Sequence, residues 1–240
     1  MIVKEQEYTL RTSDFNRYKR ILPSAILDIF QDVAGLHAKE LGCDYDTLLQ
    51  REMLWALTRV KYEVLCQPKL FDTLTARTWP LAPTRAGFKR EYLLCDKDGN
   101  VLIKGSSEWV VMHSVKRSLM PSENVYSVSE GFCDETVFEG RLERLRDFED
   151  DGKPYVSVPQ FCDIDMNGHV NNTKYANYVL NSISLGEPQE IRSFQIDYRH
   201  EVLAGEGLNI YTRFEDNTLL AKGEDENGEI KFFCKAQIEN

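Results

Sequence analysis

Between positions 163 and 175 the chain reads Asp163-Ile164-Asp165-Met166-Asn167-Gly168-His169-Val170-Asn171-Asn172-Thr173-Lys174-Tyr175. Two carboxylates, three asparagines and one histidine crowd this short stretch. A histidine changes charge near neutral pH, so it can donate a proton, accept one or stabilise a developing charge. Asp and Asn also cap free backbone N–H groups at helix starts. Capping accounts for one or two of these residues. It leaves the other acid–base and amide groups beside His169 without a structural reason, so this is where the sequence can do chemistry.

The elements that must position this stretch are legible on both sides. Residues 172–184 form a helix pattern that buries Tyr175, Tyr178, Val179 and Ile183. Phe194, Ile196 and Tyr198 then alternate with Gln195, Asp197 and Arg199, as in a strand. Leu208, Ile210 and Thr212 suggest the next strand, and Asn227-Gly228 a hairpin turn. Ile230 to Ile238 alternate as the last strand.

The first half follows the same order. Its start is charged and strand-like. Residues 23–41 read as a helix, with Pro23 in the first turn and Gly42 just past the end. Ile26, Ile29, Phe30, Val33 and Leu36 form its apolar stripe. Strands follow over 54–64, 70–79, 87–95 and 101–113, with Asp98-Gly99 as a hairpin turn. Asp14-Phe15-Asn16 before the first helix echoes Asp165-Met166-Asn167 before the second, which puts Tyr18 at the place of His169. Duplication is the preferred reading.

Residues 121–154 break the periodicity, and charged residues from Glu139 to Arg146 suggest a short exposed helix within a connection. Strands covering a lone apolar helix define an α+β class with a sheet wrapped around the helix, the hotdog arrangement. Two copies make a double hotdog. The expected division is a first hotdog over 1–125, a linker over 126–153 and a second hotdog over 154–240.

The 240 residues suit one large domain or two smaller ones. The formal net charge of −10 argues against general nucleic-acid binding, which needs a basic surface. No apolar run is long enough to suggest a membrane span, and the start lacks signal or transit character. The six cysteines form no CxxC pair, so reduced thiols in the cytoplasm and no metal site are expected.

The 163–175 stretch resembles the signature of acyl-acyl-carrier-protein thioesterases, the plant and bacterial double-hotdog enzymes. Ile196-Asp197-Tyr198-Arg199-His200-Glu201 is similar to their second motif. A short Asp-x-Asn-x-His match occurs across hotdog thioesterases generally; the extended form with the downstream motif is more specific. The resemblance covers essentially the whole chain. It implies that Asp165, Asn167 and His169 form the catalytic loop and that Glu201 is the downstream catalytic glutamate. It also implies release of a free fatty acid from acyl carrier protein, an acidic partner, with no cofactor. By the same resemblance the acyl-length pocket lies mostly in the first, non-catalytic copy. Val202 stands where many members carry a cysteine, which favours water activation over a cysteine nucleophile.

Thioester hydrolysis builds negative charge on the carbonyl oxygen, which backbone N–H groups at the second helix start are placed to receive. Glu201 is the first choice of proton acceptor, because a carboxylate buried beside an apolar chain is a stronger base. Asn167 and His169 would position water or hold the thioester, and Asp165 would orient one of them. Covalent attack by Asp165 or Glu201 through an anhydride is the alternative. In a regular strand Glu201 would share a face with Gln195, Asp197 and Arg199; a bulge or a strand end near His200 would re-aim it.

Weaker candidates are His37, read as packed or exposed, His113 at a strand end, and His200 in a supporting role. Cys162 reads as a small apolar strand residue. Docking an acidic carrier needs local cations, and Arg17–Lys19–Arg20, Lys89–Arg90 and Lys116–Arg117 are the clusters available. An acyl-CoA thioesterase and a non-catalytic acyl-binding module are the competing readings. A homodimer is a further expectation, since hotdog sheets often pair.

Overall fold

In the computed structural model, residues 2–239 are described except 86, 123, 124, 127–129 and 151. The chain divides into two compact units. One is Met1–Ser13 with Asp28–Arg141, the other Asp14–Leu27 with Leu142–Asn240.

The first unit holds strands β1 (Lys4–Thr9), β2 (Met53–Val64), β3 (Thr73–Pro80), β4 (Phe88–Cys95) and β5 (Val101–His113). They lie in the order β1-β3-β4-β5-β2, with antiparallel pairing throughout. The second unit holds β6 (Tyr155–Ser157), β7 (Glu190–Tyr198), β8 (Leu208–Glu215), β9 (Thr218–Glu224) and β10 (Ile230–Glu239). Their order is β6-β8-β9-β10-β7, again antiparallel. The two orders are the same once β6–β10 are matched to β1–β5. The repeat extends to the turns: in each copy an Asp carboxylate, Asp96 or Asp225, takes the N–H groups of the hairpin residues that follow it. Gly99 and Gly228 supply the positive φ that those turns require.

Helix α1 (Pro23–Glu40) and helix α3 (Lys174–Asn181) are the long apolar elements, and a short α2 (Tyr45–Leu49) follows α1. Pro23 starts α1 as read, and Gly42 at φ 65 ends it. The stripe holds for Ile26, Ile29, Phe30 and Val33, while Leu36 is 44% exposed. Phe30 stacks on Tyr92 of β4 at 4.3 Å, and its ring fills the space where a Cβ on Gly105 of β5 would stand. Burying a phenylalanine of this kind contributes roughly 1.5–3 kcal/mol. In the second unit Tyr175 of α3 meets Tyr198 of β7 and Phe232 of β10 edge-on, at 5.3 and 5.4 Å. Helix and sheet are thus locked by rings in both copies.

His37, on the next turns of α1, is buried against β4, where Arg90 Nη1 donates to its Nδ1 at 3.0 Å. Burial first, and the Arg90 charge second, lower its pKa from 6.5 to about 4. The folded value lies below the unfolded one, so His37 adds stability above pH 6.5 that is lost as pH falls toward 4. His37→Gln keeps an acceptor for Arg90 and removes the titration. Urea midpoints at pH 7 and pH 5 should differ less in the variant than in the wild type. An equal difference would remove His37 from the pH dependence.

The connection differs from the helix expected between 139 and 146: residues 141–150 carry no regular structure. The reason is that side chains of the sheets capture its backbone. Glu91 of β4 accepts the Val137 N–H at 3.2 Å, and Asp197 of β7 accepts the Leu145 N–H at 3.1 Å. Gln195 donates to the Glu143 carbonyl and Arg199 to the Leu145 carbonyl. A helix would have withdrawn those groups into its own ladder.

Candidate functional site

The stretch from Phe161 to Val170 is a compact turn rather than a strand. A 3-10 turn spans Phe161–Asp163, and Ile164 bridges Val170. Asp165 N–H donates to the His169 carbonyl at 2.8 Å, and Gly168 N–H to the Asp165 carbonyl at 3.0 Å. Gly168 takes φ 80, which lets the chain reverse and present His169. Cys162 is exposed on the 3-10 turn, not the apolar strand residue expected.

The structure brings the four sequence-picked residues together as two pairs. Asp165 holds Asn167: its Oδ1 accepts the Asn167 N–H at 2.7 Å, and its Oδ2 accepts from Nδ2 at 3.3 Å. His169 meets Glu201, with Nε2 to Oε2 at 3.1 Å. β7 ends at Tyr198, three residues before Glu201, so the carboxylate leaves the face of Gln195 and Asp197. Two backbone bonds make that break, since Arg199 and His200 both donate N–H to the Lys231 carbonyl. Beyond Glu201, Val170 N–H donates to the Val202 carbonyl at 2.9 Å, and His169 bridges Leu203. The Glu206 carboxylate accepts the Leu203 N–H at 2.9 Å.

Burial differs from the sequence reading. His169 is 14% exposed, but Glu201 is 48% exposed. The group opposite Glu201 is the imidazole rather than an apolar wall. Burial first, then the charges of Glu201, Asp165 and Glu206, push the Tyr175 phenol up. Its ring therefore stays protonated beside the pair.

The helix start is also more occupied than expected. Asn171 Oδ1 accepts the Thr173 N–H and hydroxyl, and the Asn171 carbonyl accepts the Lys174 N–H. Asn171 thus caps the turn that leads into α3, whose N-cap residue is Thr173, and the Thr173 and Lys174 amides are already bonded. The Tyr198 hydroxyl donates to the Asn172 carbonyl at 2.7 Å and ties the helix start to β7.

Sequence reading missed how the first copy matches this turn. Asn16 N–H donates to the Arg20 carbonyl, Lys19 N–H to the Asn16 carbonyl and Leu22 N–H to the Asp14 carbonyl. These repeat the bonds Asp165–His169, Gly168–Asp165 and Asn171–Asp163. Asp14 therefore matches Asp163, and Arg20, not Tyr18, stands at the place of His169. The Leu102 carbonyl takes the N–H groups of Leu65 and Cys66 as Lys231 takes those of Arg199 and His200, so Gln67 matches Glu201. The first copy carries neither the imidazole nor the carboxylate. The echo of letters lay two residues away from the echo of geometry; the usable signal is the turn-forming position, Lys19 at φ 59 against Gly168 at φ 80.

The other histidines lie elsewhere: His200 is 3.8 Å from Glu229, and the His113 ring accepts N–H groups of its own loop. Among the described residues no group of three or more His, Cys, Asp and Glu side chains could hold a metal ion. Among the described residues no helix is long and apolar enough to cross a membrane.

Five antiparallel strands in matching order and an apolar helix, found twice along the chain, define a double hotdog, and solved structures share that fold. An acyl-ACP thioesterase from Bacteroides thetaiotaomicron aligns with a TM-score of 0.91 and 22% identity, over 99% of this chain and 98% of that one. The 12:0-ACP thioesterase from Umbellularia californica aligns with a TM-score of 0.87 and 22% identity, over 100% and 98%. The chain belongs to the acyl-ACP thioesterase family: residues 2–127 match the model of its N-terminal domain and residues 150–239 that of its C-terminal domain. Among curated relatives, an acyl-[acyl-carrier-protein] hydrolase, FATB3, chloroplastic, from Cuphea viscosissima is 28% identical over 210 residues. That match covers 82% of this chain and 51% of the relative. The chain thus spans about half the length of these curated relatives.

Proposed function

We propose that this protein hydrolyses the thioester of a fatty acyl chain carried on acyl carrier protein, releasing free fatty acid. The observation that carries the reading is the His169–Glu201 contact at 3.1 Å, built in a family of acyl-ACP thioesterases. Glu201 takes a proton from water as the water oxygen attacks the thioester carbon. His169 donates its Nε2–H toward Glu201 and holds the carboxylate in place. Asn167, fixed by Asp165, offers its amide to the carbonyl oxygen as charge develops there. The C–S bond then breaks, and the departing thiolate takes back the proton held by Glu201. The products are a carboxylic acid and a free thiol.

The first copy, lacking both groups, is assigned to the acyl chain. Its apolar cluster of Leu41, Leu48, Phe88 and Val111, flanked by partly exposed Met53 and Trp55, supports that role. Cytoplasmic location fits six free cysteines, and pairing into a homodimer belongs to the same reading. The test compares thiol release from matched acyl-carrier and acyl-CoA substrates. Carrier substrates should be preferred by at least about tenfold in kcat/KM, or about 1.4 kcal/mol. Preference for CoA would favour an acyl-CoA thioesterase, and binding without thiol release a non-catalytic module.

A further inference from the structure

Beyond β5 the chain makes a tight reversal that the reaction does not use. His113 N–H donates to the Ser118 carbonyl at 2.9 Å, Arg117 N–H to the His113 carbonyl at 3.0 Å, and Met120 N–H to the Val111 carbonyl at 2.8 Å. Ser114 N–H reaches the Glu52 carbonyl at 2.8 Å. The His113 ring props the tip from below, its Nδ1 accepting the N–H groups of Val115 and Lys116 at 3.2 and 3.3 Å. Met112 bridges Leu119 across the base. A loop so tied is a built feature, yet it holds Val115 at 79% and Leu119 at 71% exposure. Lys116 and Arg117 stand exposed between them.

Two large apolar side chains held out on a pinned scaffold offer apolar area that a partner could cover. The charge gives the partner's sign. The chain carries −10 overall and repels an acidic protein at long range, so docking one needs a local cationic point. In the other cationic clusters Lys19 is exposed as well. Arg90 is buried, Lys89 reaches Glu108, Arg20 pairs with Glu190 at 2.8 Å, and Arg17 lies over Tyr18. The 114–119 loop combines exposed cations with exposed apolar groups, and its pinned backbone leaves little to order on binding.

We propose that the loop from Ser114 to Leu119 docks an acidic protein surface that carries an apolar strip. Lys116 and Arg117 meet its carboxylates, and Val115 and Leu119 settle on the strip. This rests on the thioesterase reading above, under which that surface belongs to the protein carrying the acyl thioester.

The experiment uses the full chain and one acyl group presented on carrier protein and on free pantetheine. Lys116→Glu should raise KM for the carrier substrate about tenfold or more, and added salt should narrow the gap. Hydrolysis of acyl-pantetheine should stay within about twofold of wild type, which also reports that the variant is folded. Lys116→Arg should restore carrier turnover, and Val115→Ser with Leu119→Ser should weaken it with less salt dependence. Carrier binding, followed by fluorescence anisotropy in the same samples, decides docking even if no thiol is released by the wild type. Unchanged carrier KM and binding in Lys116→Glu, or equal losses on both substrates, would overturn the proposal. Binding of the wild type to anionic vesicles but not to the carrier would overturn it too.

Discussion

Glu201→Gln should lower turnover of the acyl thioester by about 10²–10⁴, with KM close to wild type. The loss corresponds to roughly 3–5 kcal/mol of barrier. Glutamine keeps the size of the side chain and an oxygen that accepts from His169 Nε2, so the 3.1 Å contact can persist. What disappears is the ability to take a proton from water. Because Glu201 lies after the end of β7 and is half-exposed, the substitution disturbs no core packing. Turnover within about threefold of wild type would take Glu201 out of the chemistry.

The second large effect is on stability and comes from Asp197→Ala. Asp197 is fully buried and accepts from Leu145 N–H at 3.1 Å, Gln195 Nε2 at 2.9 Å and Arg199 Nη2 at 3.4 Å. Alanine leaves those donors facing an apolar gap. Breaking a buried charge pair destabilises by about 3–5 kcal/mol, and the partly exposed Arg199 puts this case near the lower end. The loss also loosens the turn that aims Glu201, since Arg199 is the first residue beyond β7. Urea unfolding should show a lower midpoint in Asp197→Ala, with a smaller drop in Asp197→Asn, which keeps an acceptor. A midpoint unchanged in the alanine variant would show that the connection is held without Asp197.

Much of this fold was legible in the sequence because local rules governed it. Pro23 and Gly42 mark the ends of α1 to within a residue, and period-two alternation marks β2, β3, β7 and β10. Among the described strands and α-helices, three escaped. β6 has only three residues, α2 only five, and β9 is buried at alternate and then successive positions, which blurs the period. The 143–145 segment escaped for another reason. Its charged letters suit an exposed helix, but Asp197, Gln195 and Arg199, some fifty residues on in sequence, claim its backbone.

The site was legible in part. The crowding of polar residues at 163–175 marked the turn, and the resemblance supplied Glu201. Asp165 as the partner of Asn167 was one of two options left open, and the structure places its hydrogen bonds there. The exposure of Glu201 was not readable, because it follows from where β7 breaks. That break depends on the Lys231 carbonyl, contributed by a different strand.

The pairing of His169 with Glu201 is tested most directly by a double-mutant cycle. Thiol release from the acyl-carrier substrate is measured for Glu201→Gln, His169→Asn and the double variant. Two groups that work as one unit lose function together, so the double variant should be no worse than about threefold below the slower single variant. Losses that multiply across the two sites would mean that the imidazole and the carboxylate act separately, and would contradict the account.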